Sequence, residues 1–191
     1  MKIALCFSGQ PRFVNECSAL IKNNVIQDYD IDVFAHLWFD DDLQTKPYKY
    51  GGDSDWENQR IKGTAIDDFV NTYNPREMLV EPSKSFGDPD LDEDFELSEA
   101  KYWPGGIEGQ PDFQKRQINN SLSYFYSLCE ANRLRKLYEY ENKVRYDYVI
   151  RCRTDSQIHQ PVRYENYNPD HIHFTSTQAP PPFLNDWFNF G

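Results

Sequence analysis

Strand-like and helix-like segments alternate along most of this chain of 191 residues. Residues 2–8 form a continuous apolar run, which is typical of a parallel strand covered on both faces. Apolar residues at helical spacing follow between Val14 and Val25, and DVFAHLWF (32–39) predicts a second strand. Because this order of strand, helix and strand favours a parallel sheet flanked by helices, it predicts an α/β fold.

The rest of the chain continues the alternation. We expect further elements at 61–70 (helix), 77–81 (strand), 113–142 (helix), 148–150 (strand), 171–176 (strand) and 188–191 (strand). The inner face of the long helix is predicted to carry Leu122, Phe125, Tyr126, Cys129, Leu134 and Leu137. We predict a single domain over residues 1–191. Because FNFG has the pattern of a strand in progress, we also expect the natural domain to continue beyond it.

Charge excludes several kinds of partner. The formal net charge is −11 and the sequence pI about 4.7. Such a field repels nucleic acid backbones and anionic lipid, so no nucleic acid partner is expected. It does not exclude a small phosphate ligand, because two arginines in a cleft can dominate the local field.

Cysteine usage and the N-terminus indicate a cytoplasmic protein. Cys6, Cys17, Cys129 and Cys152 show no metal-ligand spacing and lie in predicted strands and helices. This pattern favours buried, reduced thiols over a disulfide framework. The first apolar run is too short for a signal peptide or a transmembrane segment.

Three predicted strands end in polar residues. The first ends in SGQPR (8–12), the second near His36, Trp38 and Asp40, and the fourth in RCRTD (151–155). The carboxyl ends of parallel strands meet at one edge of a sheet, where ligands of open α/β sheets bind. We therefore expect these side chains to converge.

The RCRTD segment has the chemistry of a diphosphate site. On an extended chain Arg151, Arg153 and Asp155 share one face, because side chains alternate with period two. Guanidinium groups suit a diphosphate, and a carboxylate beside them can hold a divalent cation. The alternative is that the arginines form ion pairs with acids at the rim of the sheet.

The SGQPR segment allows a similar interpretation. Gly9 permits close backbone approach, free amides at a strand-to-helix turn favour anions, and Arg12 adds a positive charge. The segment lacks the P-loop and dinucleotide glycine patterns. An ordinary turn is therefore an equally good interpretation.

A family resemblance rests on five segments in a fixed order. These are SGQPR, DVFAHLW, NNSLSYFYSLCEANRL, YDYVIRCRTD and NDWFNFG. Together they resemble glycosyltransferase-like proteins of viruses and bacteria that are related to the GT-A nucleotide-sugar transferases. The loops at 40–60 and 82–112 carry none of the resemblance. It implies a Rossmann-like, mainly parallel sheet, a nucleotide-sugar donor, and a glycan, lipid or protein acceptor.

The resemblance also assigns residues. Asp155 takes the place of the last aspartate of the Asp-X-Asp motif, which binds Mn²⁺ or Mg²⁺ with the donor phosphates. Arg153 stands where the first aspartate is expected, so metal dependence stays open. The nucleotide-sugar pocket is predicted to include Ser8, Gly9, Gln10, Arg12, His36, Trp38, Asn120, Arg151 and Arg153. Catalytic roles are predicted for Arg153, Asp155 and Asp186, with Asp186 on the acceptor side.

Several alternatives stay open at this point. Asn120 also fits a polar helix face, and Asp186 a capping or turn residue. The whole chain also fits a nucleotide-sugar-binding module without catalysis. A third interpretation is a structural or interaction protein whose arginines only form ion pairs.

Overall fold

The computed structural model describes residues 1–45, 60–86, 111–174 and 188–191. The chain divides into two compact units. The first comprises Met1–Ser83 with Ser127–Gly191, and the second comprises Lys84–Tyr126. The single domain predicted from the sequence stays a prediction.

One sheet forms the centre of the first unit. Within the described residues its strands are β1 (Lys2–Gly9), β2 (Asp30–Trp38), β3 (Glu77–Glu81), β4 (Tyr148–Cys152), β5 (His173–Phe174) and β6 (Phe188–Phe190). Their spatial order is β3-β2-β1-β4-β6-β5. Strand β6 runs antiparallel to its neighbours β4 and β5, and the other five strands run in one direction. The predicted α/β fold with a mainly parallel sheet is therefore confirmed. The order 3-2-1-4 is one that Rossmann-type sheets share.

Helices precede or follow most of the parallel strands. They are α1 (Val14–Ile21), α2 (Asp41–Thr45), α3 (Ala65–Tyr73) and α4 (Pro111–Asn142). A π-helical turn, Lys22–Ile26, extends α1, and a 3₁₀ turn spans Tyr164–Asn166. Helix α2 was not predicted, and α3 starts later than its predicted range.

The alternation of side chains on β1 explains its unbroken apolar run. Leu5 and Phe7 belong to the core cluster that includes residues of α1 and α3, whereas Cys6 packs in a second cluster with Ala131 of α4. The ring of Phe7 lies 5.2 Å from that of Phe69. Each such side chain contributes about 1.5–3 kcal/mol when it is fully buried. Both faces of β1 are covered, so both sets of side chains are apolar.

The predicted inner face of α4 was wrong at four positions. Leu122, Phe125 and Leu137 are 39%, 57% and 44% exposed, and Cys129 is also exposed. The helix instead buries Ser127, Ala131 and Arg135, while Leu134 packs partly buried as predicted. Ser127 and Arg135 can be buried because each makes hydrogen bonds there, to Gly9 and to Glu139 respectively. The buried stripe of α4 is therefore not its most apolar stripe.

Three of the four cysteines are buried, as predicted. Cys6, Cys17 and Cys152 are buried free thiols, whereas Cys129 is exposed. Burial raises the pKa of both Cys6 and Cys152 to about 12, which makes them inert at neutral pH. Among the described helices, none has both the length and the apolar character needed to cross a membrane.

A buried aspartate fixes the amino-terminal ends of the strands. Asp32, at the start of β2, lies 2.6 Å from Nε of Arg76, 3.2 Å from Nζ of Lys2 and 2.8 Å from the hydroxyl of Tyr146. Burial alone would raise the pKa of Asp32, but these hydrogen bonds outweigh it and lower the pKa. These contacts connect the starts of β1, β2, β3 and β4.

Candidate functional site

The edge of the sheet where the parallel strands have their carboxyl ends contains a topological switch point. The chain moves from β1 to β2 and β3 on one side, and returns to place β4 on the other side of β1. Ligands of open α/β sheets bind in the crevice beyond the strand ends at such a point. Because β1, β2 and β4 are parallel neighbours, the predicted meeting of their carboxyl ends at one edge is confirmed.

Buried polar residues concentrate near this edge. Eight polar or charged residues are buried in the described part of the chain, and six of them lie at or near the carboxyl ends of the strands. They are Ser8, His36, Ser127, Arg151, Thr154 and Ser156. Burying polar groups is costly unless each has a partner, so the hydrogen bonds of these residues decide how this edge is built.

The turn after β1 depends on Gly9. Its φ of +108° is a conformation that side chains disfavour, although no atom would contact an added Cβ. The Gly9 amide donates to Oγ of Ser127 at 2.8 Å, and the Arg12 amide donates to the Gln10 carbonyl at 2.8 Å. The expectation of free amides was therefore wrong for these two groups. The Arg12 guanidinium donates to the side-chain carbonyl of Gln10.

The chain after β4 does not stay extended. Strand β4 ends at Cys152, and the Ser156 amide then donates to the Arg153 carbonyl at 3.2 Å. The Arg153 amide in turn donates to Oγ of Ser156 at 3.3 Å. The period-two argument that put Arg153 and Asp155 on the face of Arg151 was therefore wrong, because a tight turn replaces the strand.

This turn brings Arg153 and Asp155 together. Nε and Nη2 of Arg153 donate to the two carboxylate oxygens of Asp155 at 2.8 and 2.7 Å. The side chains are 24% and 14% exposed, so solvent reaches both. For Arg153, the ion pair at the rim that the sequence left open as an alternative is present. Its predicted contact with a phosphate stays a prediction.

The turns after β1 and β4 contact each other. Oγ1 of the buried Thr154 donates to the Gln10 carbonyl at 3.2 Å. Burial, followed by the negative charge of Asp155, raises the pKa of Cys17 on α1. Asp155 therefore lies close enough to α1 for its charge to act there. The two polar segments named from the sequence are neighbours across the switch point.

The chain beyond the second turn is held by the π-helical turn. Nδ2 of Asn24 donates to the Ile158 carbonyl at 2.6 Å, and the Val162 amide donates to the Asn24 carbonyl at 2.7 Å. The side chain of Gln27 also donates to the Val162 carbonyl. Here the turn anchors the segment that leaves the site.

Arg151 lies inside β4 and not at its end. It is 6% exposed and stands in register with Cys6 of β1 and Asn189 of β6. Of the two arginines, Arg153 is thus the one whose side chain reaches solvent at the edge. The role of Arg151 in binding a diphosphate stays a prediction.

His36 is a fully buried member of a hydrogen-bonded chain. Its Nδ1 lies 2.8 Å from Oγ of Ser127, and its Nε2 lies 2.9 Å from Oε2 of Glu81. Its ring packs edge-on against Trp38, and it stands in register with Ser8. Ser8 and Trp38 are also buried. The predicted ligand contacts of these three residues stay predictions, and His36 supports the end of β1 through Ser127.

Sequence reasoning missed Ser127 and Glu81. Ser127 is 1% exposed and connects Gly9 with His36, and Glu81 is the last residue of β3. The available signal was the spacing of Ser127, Ala131 and Leu134 at i, i+4 and i+7, which places a serine on the helix face that packs. A buried serine on such a face needs a polar partner.

Two further predicted site residues fall outside the described part of the first unit. Asn120 is exposed on the part of α4 that belongs to the second unit. There the Phe86 amide donates to Oδ1 of the preceding residue, Asn119, at 2.8 Å. Asp186 lies outside the described residues, so its predicted catalytic role stays a prediction.

Asp155 is the carboxylate in the turn after β4. Nowhere in the described ranges do three or more His, Cys, Asp or Glu residues come together as a metal site. Mg²⁺ is commonly held by one or two carboxylates together with substrate phosphates. Asp155 therefore fits as one oxygen ligand of an ion that a diphosphate brings with it, provided that Arg153 moves.

Comparisons with protein-family models, with curated proteins and with solved structures return no match to this chain. The class that the fold defines is an α/β protein with a mainly parallel sheet.

Proposed function

We propose that this chain is a glycosyltransferase of GT-A-like fold that moves a sugar from a nucleotide-sugar donor to an acceptor hydroxyl. The observation that supports it best is the contact between the turns after β1 and β4 at the switch point of the sheet. Two guanidinium groups and one carboxylate, those of Arg12, Arg153 and Asp155, belong to these turns. This is the chemistry that a diphosphate requires.

Each residue has a distinct role in this proposal. In the transfer, the bond between the sugar C1 and the diphosphate oxygen breaks, and a bond from C1 to the acceptor oxygen forms. Negative charge grows on the leaving diphosphate, where Arg153 stabilises it. Asp155 would be one ligand of a Mg²⁺ or Mn²⁺ ion, which would supply further positive charge at the diphosphate. Asp186 receives the proton of the acceptor hydroxyl.

A second candidate function is a nucleotide-sugar-binding module without catalysis. The observation that favours it is the Arg153–Asp155 ion pair, with nitrogen-to-oxygen distances of 2.8 and 2.7 Å. An arginine that holds the only acid of the motif reduces the capacity for a metal-assisted reaction. It leaves the capacity to bind a diphosphate.

Replacement of Asp155 with alanine is expected to abolish the turnover of the donor. The assay incubates the full chain with a panel of UDP-, GDP-, CDP- and ADP-sugars and Mn²⁺, and mass spectrometry measures the release of the nucleoside diphosphate. Without Asp155 the metal ion that it would hold is lost, and with it positive charge at the leaving diphosphate, which lowers the rate by roughly 100-fold or more. Replacement of Asp170, which is exposed, is the matched control and should leave the rate unchanged.

Two outcomes contradict the enzymatic proposal. An unchanged rate in the Asp155→Ala variant would remove Asp155 from the mechanism. Binding of a nucleotide-sugar without any turnover would select the non-catalytic module instead.

A further inference from the structure

Arg153 and Asp155 occupy each other in the structure, although the proposed function gives each of them a different external partner. Two nitrogens of the guanidinium face two oxygens of the carboxylate at 2.8 and 2.7 Å. A guanidinium binds two phosphate oxygens with the same two-pronged geometry. The carboxylate therefore covers the donors that a diphosphate needs, and the guanidinium covers the oxygens that a cation needs.

We propose that this ion pair is a latch that couples the binding of a diphosphate to the binding of a divalent cation. This inference rests on the proposed function and adds a rule for how the site opens. A diphosphate that takes the guanidinium of Arg153 releases the carboxylate of Asp155. A cation that takes the carboxylate releases the guanidinium, so each ligand removes the obstacle to the other.

The structure allows the latch to open by side-chain movement alone. The backbone of the turn is fixed by the hydrogen bond from the Ser156 amide to the Arg153 carbonyl and by that from Thr154 to Gln10. Both paired side chains reach solvent, with exposures of 24% and 14%. A diphosphate or a cation that approaches from solvent can therefore reach these groups and compete for the guanidinium or the carboxylate.

The rival explanation is a plain electrostatic one. Any acid near an anion site repels the anion, so removing Asp155 would strengthen anion binding even without a latch. The two explanations differ in their dependence on Arg153. If the latch exists, removing Asp155 raises the affinity for the anion because Arg153 is released. Simple repulsion by Asp155 acts whether Arg153 is present or not. A double-mutant cycle separates them.

The test is calorimetric titration of inorganic pyrophosphate into the full chain, first with a chelator and then with Mn²⁺. In the absence of metal, Asp155→Asn is expected to bind pyrophosphate about three- to tenfold more tightly than the unaltered chain. In an Arg153→Gln background the same substitution should change the affinity less than about twofold, because no guanidinium is left to release. With Mn²⁺, the affinity of the unaltered chain should rise and that of Asp155→Asn should not.

A control separates a local effect from a change in net charge. Asp28 is exposed and lies just before β2, at the opposite end of the sheet. Asp28→Asn removes the same charge and should leave the affinity for pyrophosphate unchanged. Circular dichroism of each variant checks that it is folded.

Each outcome decides the matter. If the unaltered chain binds pyrophosphate but Asp155→Asn binds it no more tightly, the latch is wrong while the proposed function stands. A gain that persists in the Arg153→Gln background also overturns the latch. If neither the unaltered chain nor the variants bind pyrophosphate, with or without Mn²⁺, the latch and the proposed function both fail.

Discussion

Replacement of Arg153 with alanine is expected to weaken the binding of a nucleoside diphosphate by about 10- to 100-fold, because a charge-assisted pair of hydrogen bonds is lost. The binding of the matching nucleoside should change less than about twofold, since a nucleoside carries no phosphate for the guanidinium to contact. Calorimetric titrations with UDP, GDP, CDP, ADP and their nucleosides measure both affinities. Lysine at this position should restore part of the loss, because it keeps the charge without the fork.

The control for this prediction is Arg163→Ala. Arg163 lies near Met1 and Asp30, at the edge of the sheet opposite to the candidate site. Its removal should leave the affinity for the diphosphate unchanged. If Arg153→Ala weakens the binding of nucleoside and nucleoside diphosphate equally, Arg153 has no specific contact with phosphate.

Replacement of His36 with alanine is expected to lower the free energy of unfolding by about 3 kcal/mol, because it leaves a cavity and removes two hydrogen bonds. His36 is 0% exposed, and its ring nitrogens contact Ser127 and Glu81. Urea unfolding at constant pH measures the change. The exposed His159 is the control, and His159→Ala should change stability by less than about 0.5 kcal/mol.

Two conservative variants assign the effect to one contact. Asparagine places a polar atom near the position of Nδ1 and can retain the contact with Ser127, whereas glutamine reaches towards Glu81. Because Ser127 accepts the hydrogen bond of the Gly9 amide, we expect asparagine to preserve diphosphate binding better than glutamine. A loss of stability below about 1 kcal/mol in His36→Ala would mean that this chain of hydrogen bonds does not hold the strand ends together.

The strands were predictable because their sequence patterns are local. The predicted strand at 77–81 matches β3 (Glu77–Glu81), and β1 extends one residue past its predicted range. Parallel pairing followed from the alternation with helices, and it sufficed to place the ends of β1, β2 and β4 at one edge. The general position of the candidate site therefore required no knowledge of side-chain contacts.

The detailed geometry of the site was not predictable in the same way. A hydrogen-bonded turn between Arg153 and Ser156 follows β4, which ends three residues earlier than a fully extended RCRTD segment would. Nothing in the strand periodicity indicates that turn. The turn makes Asp155 the partner of Arg153, whereas the sequence pattern suggested two side chains that face a common ligand.

The buried polar contacts depend on long-range packing. Ser127 and His36 are 91 residues apart, and Ser127 and Gly9 are 118 residues apart. No local pattern connects them. For the same reason the buried face of α4 was assigned to its apolar residues, although Ser127 and Arg135 are the buried ones.

The central claim is that the edge between β1 and β4 binds a nucleoside diphosphate group, and a thermal-shift panel of nucleotide-sugars tests it most directly. With a donor at about 100 times its dissociation constant, the stability should rise by about 2.7 kcal/mol. For a chain of this size, that corresponds to an increase in Tm of about 5–10 °C. We predict this increase for at least one nucleotide-sugar in the unaltered chain and a much smaller one in Arg153→Ala. If no nucleotide-sugar at millimolar concentration raises Tm, with or without Mn²⁺, the claim is contradicted.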